Sequence, residues 1–109
     1  GLMRTLRIKQ RFLDMIVAGQ KTLEVRVAYE SIKRIKVGEK ICFVSQSSIV
    51  VQIISVRRYK NFIEMLNAEN ADRILPGSNQ DNLLFLLRQI YSTDRENLGV
   101  VILDIQCVN

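Results

Sequence analysis

The chain has 109 residues, of which 48% are hydrophobic and 25% charged, and its formal net charge is +5. That size is usual for one domain and lets about two thirds of the unfolded chain's surface be buried, while the apolar content excludes an intrinsically disordered chain. There is no histidine, and the only cysteines are Cys42 and Cys107, which excludes Ser-His-Asp and Cys-His nucleophilic catalysis and argues against a zinc site.

In chain order, Arg4 to Lys9 alternates, with Leu6 and Ile8 on one face and Thr5, Arg7 and Lys9 on the other, and is predicted as a strand. Arg11 to Ala18 sets Phe12, Leu13, Ile16 and Val17 on a helical stripe, with Gly19 placed to end the helix. "KTLEVRV" alternates again. A strand there puts Leu23, Val25 and Val27 on the inward face and Thr22, Glu24 and Arg26 on the outward one. "AYESIKRIKVGEK" reads as irregular and basic, with a turn at Gly38.

Ile41 to Ser45 and Ile49 to Arg57 are β-rich runs joined by "QSS", as in a hairpin. "KNFIEMLNAEN" is a short helix that Asn61 can cap, "LPGSN" a turn, and "QDNLLFLLRQIY" the clearest helix of the chain. "STDREN" reads as a polar loop before a last strand containing Val101, Leu103, Ile105 and Cys107. The order β-α-β-β-β-α-α-β lacks the regular crossovers of a doubly wound sheet. It fits an α+β domain over residues 1–109: a small, mostly antiparallel barrel with helices packed on its outside.

Both cysteines lie in apolar strand runs without CxxC spacing, so they read as small buried hydrophobes in a reducing, cytoplasmic setting. The longest charge-free stretch, Ile41 to Val56, contains Ser and Gln and is too short to span a bilayer. No membrane partner, metal or cofactor is expected. The net charge hides a division. Residues 1–60 hold 13 Lys and Arg against 4 Asp and Glu, whereas residues 61–109 hold 3 against 7. A molecule polarised in this way favours an anionic partner at its N-terminal half.

Periodicity leaves two readings of Lys21, Thr22, Glu24 and Arg26 equally open. They are a solvated strand face whose Glu–Arg pair is worth about 0 to 1 kcal/mol, or they converge on something bound. Beyond periodicity, Gly19, Lys21, Glu24 and Arg26 match the pattern G-x-K-x-x-E-x-R, and with it "FLDMIVAGQKTLEVRV" resembles the signature of the ASCH domain family, relatives of the PUA RNA-binding domain. The resemblance continues through "VGEKICF", "VRRYKNFIEML" and "IYSTDRENLGVVILDI", nearly the whole chain.

The resemblance implies a PUA-like β-barrel with a cleft beside the Lys21–Arg26 strand that accepts RNA or a nucleotide-like small molecule. Lys21, Glu24, Arg26, Ser45 and Tyr59 are the expected ligand-binding residues, and Tyr29, Tyr59 and Tyr91 are the aromatics available to stack on bases. It also implies an alternative, because some relatives are hydrolases: acetylcytidine amidohydrolases or ribonucleases. For an enzyme the candidates are Lys21, Thr22 and Glu24, with Ser45 or Tyr59 as hydroxyls in a nuclease. In the amidohydrolases a threonine stands two residues before the motif arginine; this chain has Glu24 there, and Glu69 and Asp72 are its nearest counterparts to their distant glutamate.

Overall fold

Alternating apolar residues build the strands, and the structure, a computed structural model, describes them over residues 2–108. The order is β1 (Arg4–Arg7), α1 (Gln10–Val17), β2 (Leu23–Val27), α2 (Glu30–Lys33), β3 (Lys40–Val44), β4 (Ser48–Tyr59), α3 (Phe62–Ala68), α4 (Ala71–Ile74), α5 (Gln80–Ile90), α6 (Thr93–Glu96) and β5 (Val100–Cys107). The five strands form one sheet in the order β1-β3-β4-β5-β2, parallel between β1 and β3 and antiparallel elsewhere.

β4 sets the shape of the sheet. Its register against β5 shifts between Ile53 and Ser55, and such an irregularity bends a strand and sharpens its twist. One long strand therefore pairs with β3 through Lys40↔Gln52 to Val44↔Ser48 and with β5 as far as Tyr59↔Val100. The sheet curls into a half-barrel. β1 and β2 remain edges that are not paired with one another, so the α+β class holds while the expected barrel is open.

Each face of the curl carries its own core. The inner core joins Ile41, Phe43, Val51, Ile53, Val101, Leu103 and Ile105 to Ile16 of α1 and Ile32 of α2. The outer core packs Leu23, Val27, Val100 and Ile102 under Phe62, Met65 and Leu66 of α3, Ile74 of α4, and Leu83 and Leu87 of α5. Burying a side chain of this size stabilises by about 1.5–3 kcal/mol. Covered on both faces, β5 reads Val100, Val101, Ile102, Leu103 as one apolar run. Only the second helical group lies outside; α1 and α2 contribute to the inner core.

Three helical turns correct the sequence reading. "ESIK" is α2, "ADRI" is α4 with Asn70 accepting from the Asp72 amide, and "TDRE" is α6 with Ser92 accepting from the Arg95 amide. Each has four residues, too few to show a helical period. The longer helices obey theirs: Asn61 accepts from the Glu64 amide at the start of α3, and Asn79 from the Asn82 amide at the start of α5. Among the described residues no helix is long and apolar enough to cross a membrane.

Candidate functional site

The end of α1 delivers Lys21. Gly19 has φ +77°, its amide donates to Ile16 O at 3.0 Å, and the Gln20 amide donates to Met15 O at 2.9 Å. This Schellman pattern needs a left-handed residue, which glycine adopts without cost to a side chain. The chain thereby reverses into β2, and the Lys21 side chain turns under α4. Its Nζ donates to Leu23 O at 2.7 Å and Ile74 O at 2.7 Å, and meets Glu24 Oε1 at 3.0 Å. An ammonium has three hydrogens to give. All three are engaged, in a residue only 3% exposed.

Glu24 is held from both sides. Its Oε2 accepts from Arg26 Nε at 2.9 Å and lies 2.7 Å from Arg26 Nη2. Burial pushes its carboxyl pKa up, but the Lys21 and Arg26 charges outweigh that and hold it below the ordinary carboxylate value. Glu24 is therefore ionised at neutral pH.

The outward face expected for Glu24 and Arg26 is corrected here. Opposite them stand Leu103 and Val101, residues of the inner core, so the pair points to the inside of the curl. Leu23, Val25 and Val27 instead lie beneath α3, α4 and α5. Arg26 then spans the open seam: Nη2 donates to Arg7 O of β1 at 2.7 Å, and its guanidinium carbon sits 5.9 Å from the centre of the Phe43 ring.

Beside this cluster is a pocket of about 200 Å³. Arg7, Ile8, Lys9 and Phe12 border it on one side, Lys21, Glu24, Val25 and Arg26 on another, and Ile74, Leu75, Leu83, Leu86, Leu87, Ile90 and Tyr91 form an apolar wall. Its charged lining is four cations to one carboxylate. Among the described residues Arg7 and Lys9 make no ion pair, and both are exposed. Burial raises the Tyr91 phenol, which keeps its proton at neutral pH. Among the described residues no group of three or more acidic or cysteine side chains is placed to hold a metal.

Of the residues singled out from sequence, Lys21, Glu24, Arg26 and Tyr91 border this pocket, and Thr22, Ser45, Tyr29 and Tyr59 do not. The Thr22 hydroxyl accepts from Arg73 Nε at 2.8 Å. Ser45 lies in the β3–β4 turn, its amide donating to Ser47 O. Tyr59 OH donates to Glu69 Oε2, whose carboxylate also takes two hydrogen bonds from Arg57 at 2.6 and 2.8 Å. Tyr29 OH accepts from Arg95, and Asp72 accepts from the Gly77 amide.

Sequence reasoning missed Arg7, Lys9, Phe12 and the α5 wall as partners of the site. A signal for the wall was present. Leu83 to Leu87 is five consecutive apolar residues, more than one helical stripe can bury on a single core.

A sequence model described as the ASCH domain matches residues 6–107. No curated protein matches the chain. Among solved structures, the crystal structure of the hypothetical protein PH0355 is 29% identical, with a TM-score of 0.90 over 98% of this chain and 100% of that one. The solution NMR structure of protein PF0455 from Pyrococcus furiosus is 27% identical, with a TM-score of 0.81 over 99% of each chain. Protein EF3133 from Enterococcus faecalis V583 shares the fold at 12% identity, with a TM-score of 0.65 over 99% of this chain and 82% of that one.

Proposed function

This chain belongs to the ASCH domain family, and from that premise we propose that the pocket beside β2 binds RNA or a nucleotide-like small molecule. The observation that carries the reading is the charge of the lining. Glu24 is already compensated by Lys21 and Arg26, which leaves a net positive site whose exposed Arg7 and Lys9 make no ion pair among the described residues. An apolar body against the Phe12, Tyr91 and α5 side chains, with its anionic group toward Arg7 and Lys9, satisfies both parts of the lining.

The hydrolase alternative asks more of these groups than their contacts leave. The Lys21 Nζ is committed to Leu23 O, Ile74 O and Glu24 Oε1 and reaches a substrate as a general base only by breaking one of those contacts. Both Glu24 oxygens are engaged, and the Thr22 hydroxyl is occupied away from the pocket. These contacts support the reading of binding without turnover.

The test is melting of the protein against nucleosides, nucleotides and short single-stranded RNAs at low salt. A ligand present at about a hundred times its Kd adds about 2.7 kcal/mol, a rise in Tm of roughly 10 °C or more for a domain of this size. Absence of any shift across the panel overturns the reading, as does release of cytidine from acetylcytidine at a useful rate.

A further inference from the structure

β2 meets the pocket with its edge. Glu24, Val25 and Arg26 all border the cavity, and consecutive strand residues, whose side chains alternate between faces, can do so only when the strand is approached edge-on. β2 ends the sheet and pairs with β5 alone. Along that pairing the Ala28 amide donates to Gly99 O, and the Ile105 amide donates to Thr22 O. By the two-residue step of an antiparallel ladder, Glu24, Arg26 and Ala28 turn their main-chain groups toward β5, as does the Thr22 carbonyl while its amide donates to Arg73 O, and Leu23, Val25 and Val27 turn theirs away.

Two of those three outward residues are already engaged. The Leu23 carbonyl accepts from Lys21 Nζ at 2.7 Å, and the Val27 carbonyl accepts from the Tyr29 amide at 2.9 Å. Among the described residues Val25 alone keeps an amide N–H and a carbonyl side by side on the pocket wall.

Building on the ligand class proposed above, we infer that the pocket takes one unpaired nucleobase and that the Val25 main chain reads its Watson–Crick edge. Each of the four bases carries a donor next to an acceptor on that edge, and single-stranded RNA leaves the edge free. One N–H and one C=O of a single residue complete two hydrogen bonds with it. Phe12 and Tyr91 give a planar ring its apolar surroundings, and Arg7 and Lys9 stand at the mouth for the phosphate.

A free strand edge can also take an extended peptide as an added strand. Strand addition uses a run of alternate free residues. Lys21 and Tyr29 have closed the carbonyls on either side of Val25, so what remains matches one base and not a strand.

The four nucleoside 5′-monophosphates are titrated at low salt, and the tightest binder is compared with its form methylated on the Watson–Crick edge (1-methyladenosine, 1-methylguanosine, 3-methylcytidine or 3-methyluridine monophosphate). Loss of these hydrogen bonds predicts roughly tenfold or weaker binding of the methylated form. Val25→Pro removes the same N–H at an edge position where proline is tolerated, and weakens the unmodified ligand by a similar factor; Arg7→Ala weakens both forms alike. If Val25→Pro does not fold, as judged by melting, the methylated probes on the unaltered protein still decide. Equal binding of the two forms overturns the edge reading and leaves the nucleotide pocket standing, whereas failure of every monophosphate to bind overturns both. A peptide of alternating apolar residues that displaces the monophosphate, and loses its own binding in Val25→Pro, assigns the edge to strand addition and also overturns the inference.

Discussion

Lys21 owes its character to the number of acceptors it meets. Two carbonyls and a carboxylate surround a side chain with almost no water contact, so Lys21→Met strands Glu24 beside Arg26 alone and leaves Leu23 O and Ile74 O without their donor. Breaking a buried pair from one side costs about 3–5 kcal/mol. A fall in Tm of more than about 10 °C is expected; a change of a degree or two would show that water replaces the ammonium. Glu24 makes the complementary prediction with pH. Its folded pKa lies below the ordinary value of 4.5, so its contribution is complete above that value and disappears as pH falls through the lowered folded pKa. Tm measured from pH 7 downward should therefore show a constant gap between wild type and Glu24→Gln at neutral and mildly acid pH. The gap should narrow only at more acid pH. A gap that narrows already between pH 7 and 6 would mean that burial, not Lys21 and Arg26, governs the carboxyl.

Elements hold the site by their ends. The reversal after α1 rests on Gly19 at φ +77°, where an added Cβ meets no neighbouring atom and only backbone strain opposes it. Gly19→Ala should cost about 1–2 kcal/mol, measured by urea unfolding, and should weaken ligand binding as well, because Lys21 enters β2 directly from that turn. At the other end of the sheet Glu69 ties the close of α3 to β4 through Arg57 and Tyr59. The Arg57 hydrogen bonds foremost, opposed by burial and aided by Tyr59, hold the Glu69 carboxyl below its ordinary value. Tyr59→Phe removes one hydrogen bond from this tie and should cost about 0.5–1.5 kcal/mol while leaving nucleotide affinity unchanged. A large loss of affinity would return Tyr59 to the ligand.

Across the whole molecule the charge division has a spatial meaning. Strands β1 to β4 and α1 come from the basic part of the chain, and α3 to α6 with β5 come from the acidic part. The pocket lies where α5 meets the basic edge, so a polyanion approaching from the β1 side encounters Arg7, Lys9 and Arg26 before any exposed carboxylate on the pocket wall. Arg26 is already paired with Glu24, so if Arg7 and Lys9 each neutralise one phosphate, log affinity for single-stranded RNA should fall with log salt at a slope of about −1.4, from about −0.7 per phosphate. A flat dependence between low and physiological salt would remove the electrostatic support for an RNA ligand.

Local pattern alone determined a good deal: the five strands, the α1 stripe with its terminating glycine, the Asn61 cap, the long α5, and the spacing that puts Glu24 and Arg26 on a common face. These depend on neighbours within a few residues, which sequence displays directly. The family pattern G-x-K-x-x-E-x-R was equally legible. Only tertiary structure decided which side of β2 is which, because a period of two says that residues share a face and not what covers it. Both faces are covered here, and the charged pair occupies the inside of a curl whose closing strands, β1 and β2, never meet. The α5 wall and the rim cations Arg7 and Lys9 come from segments distant in sequence from β2. Their meeting depends on the β4 bend and the sheet order, neither of which leaves a mark in any one stretch of residues.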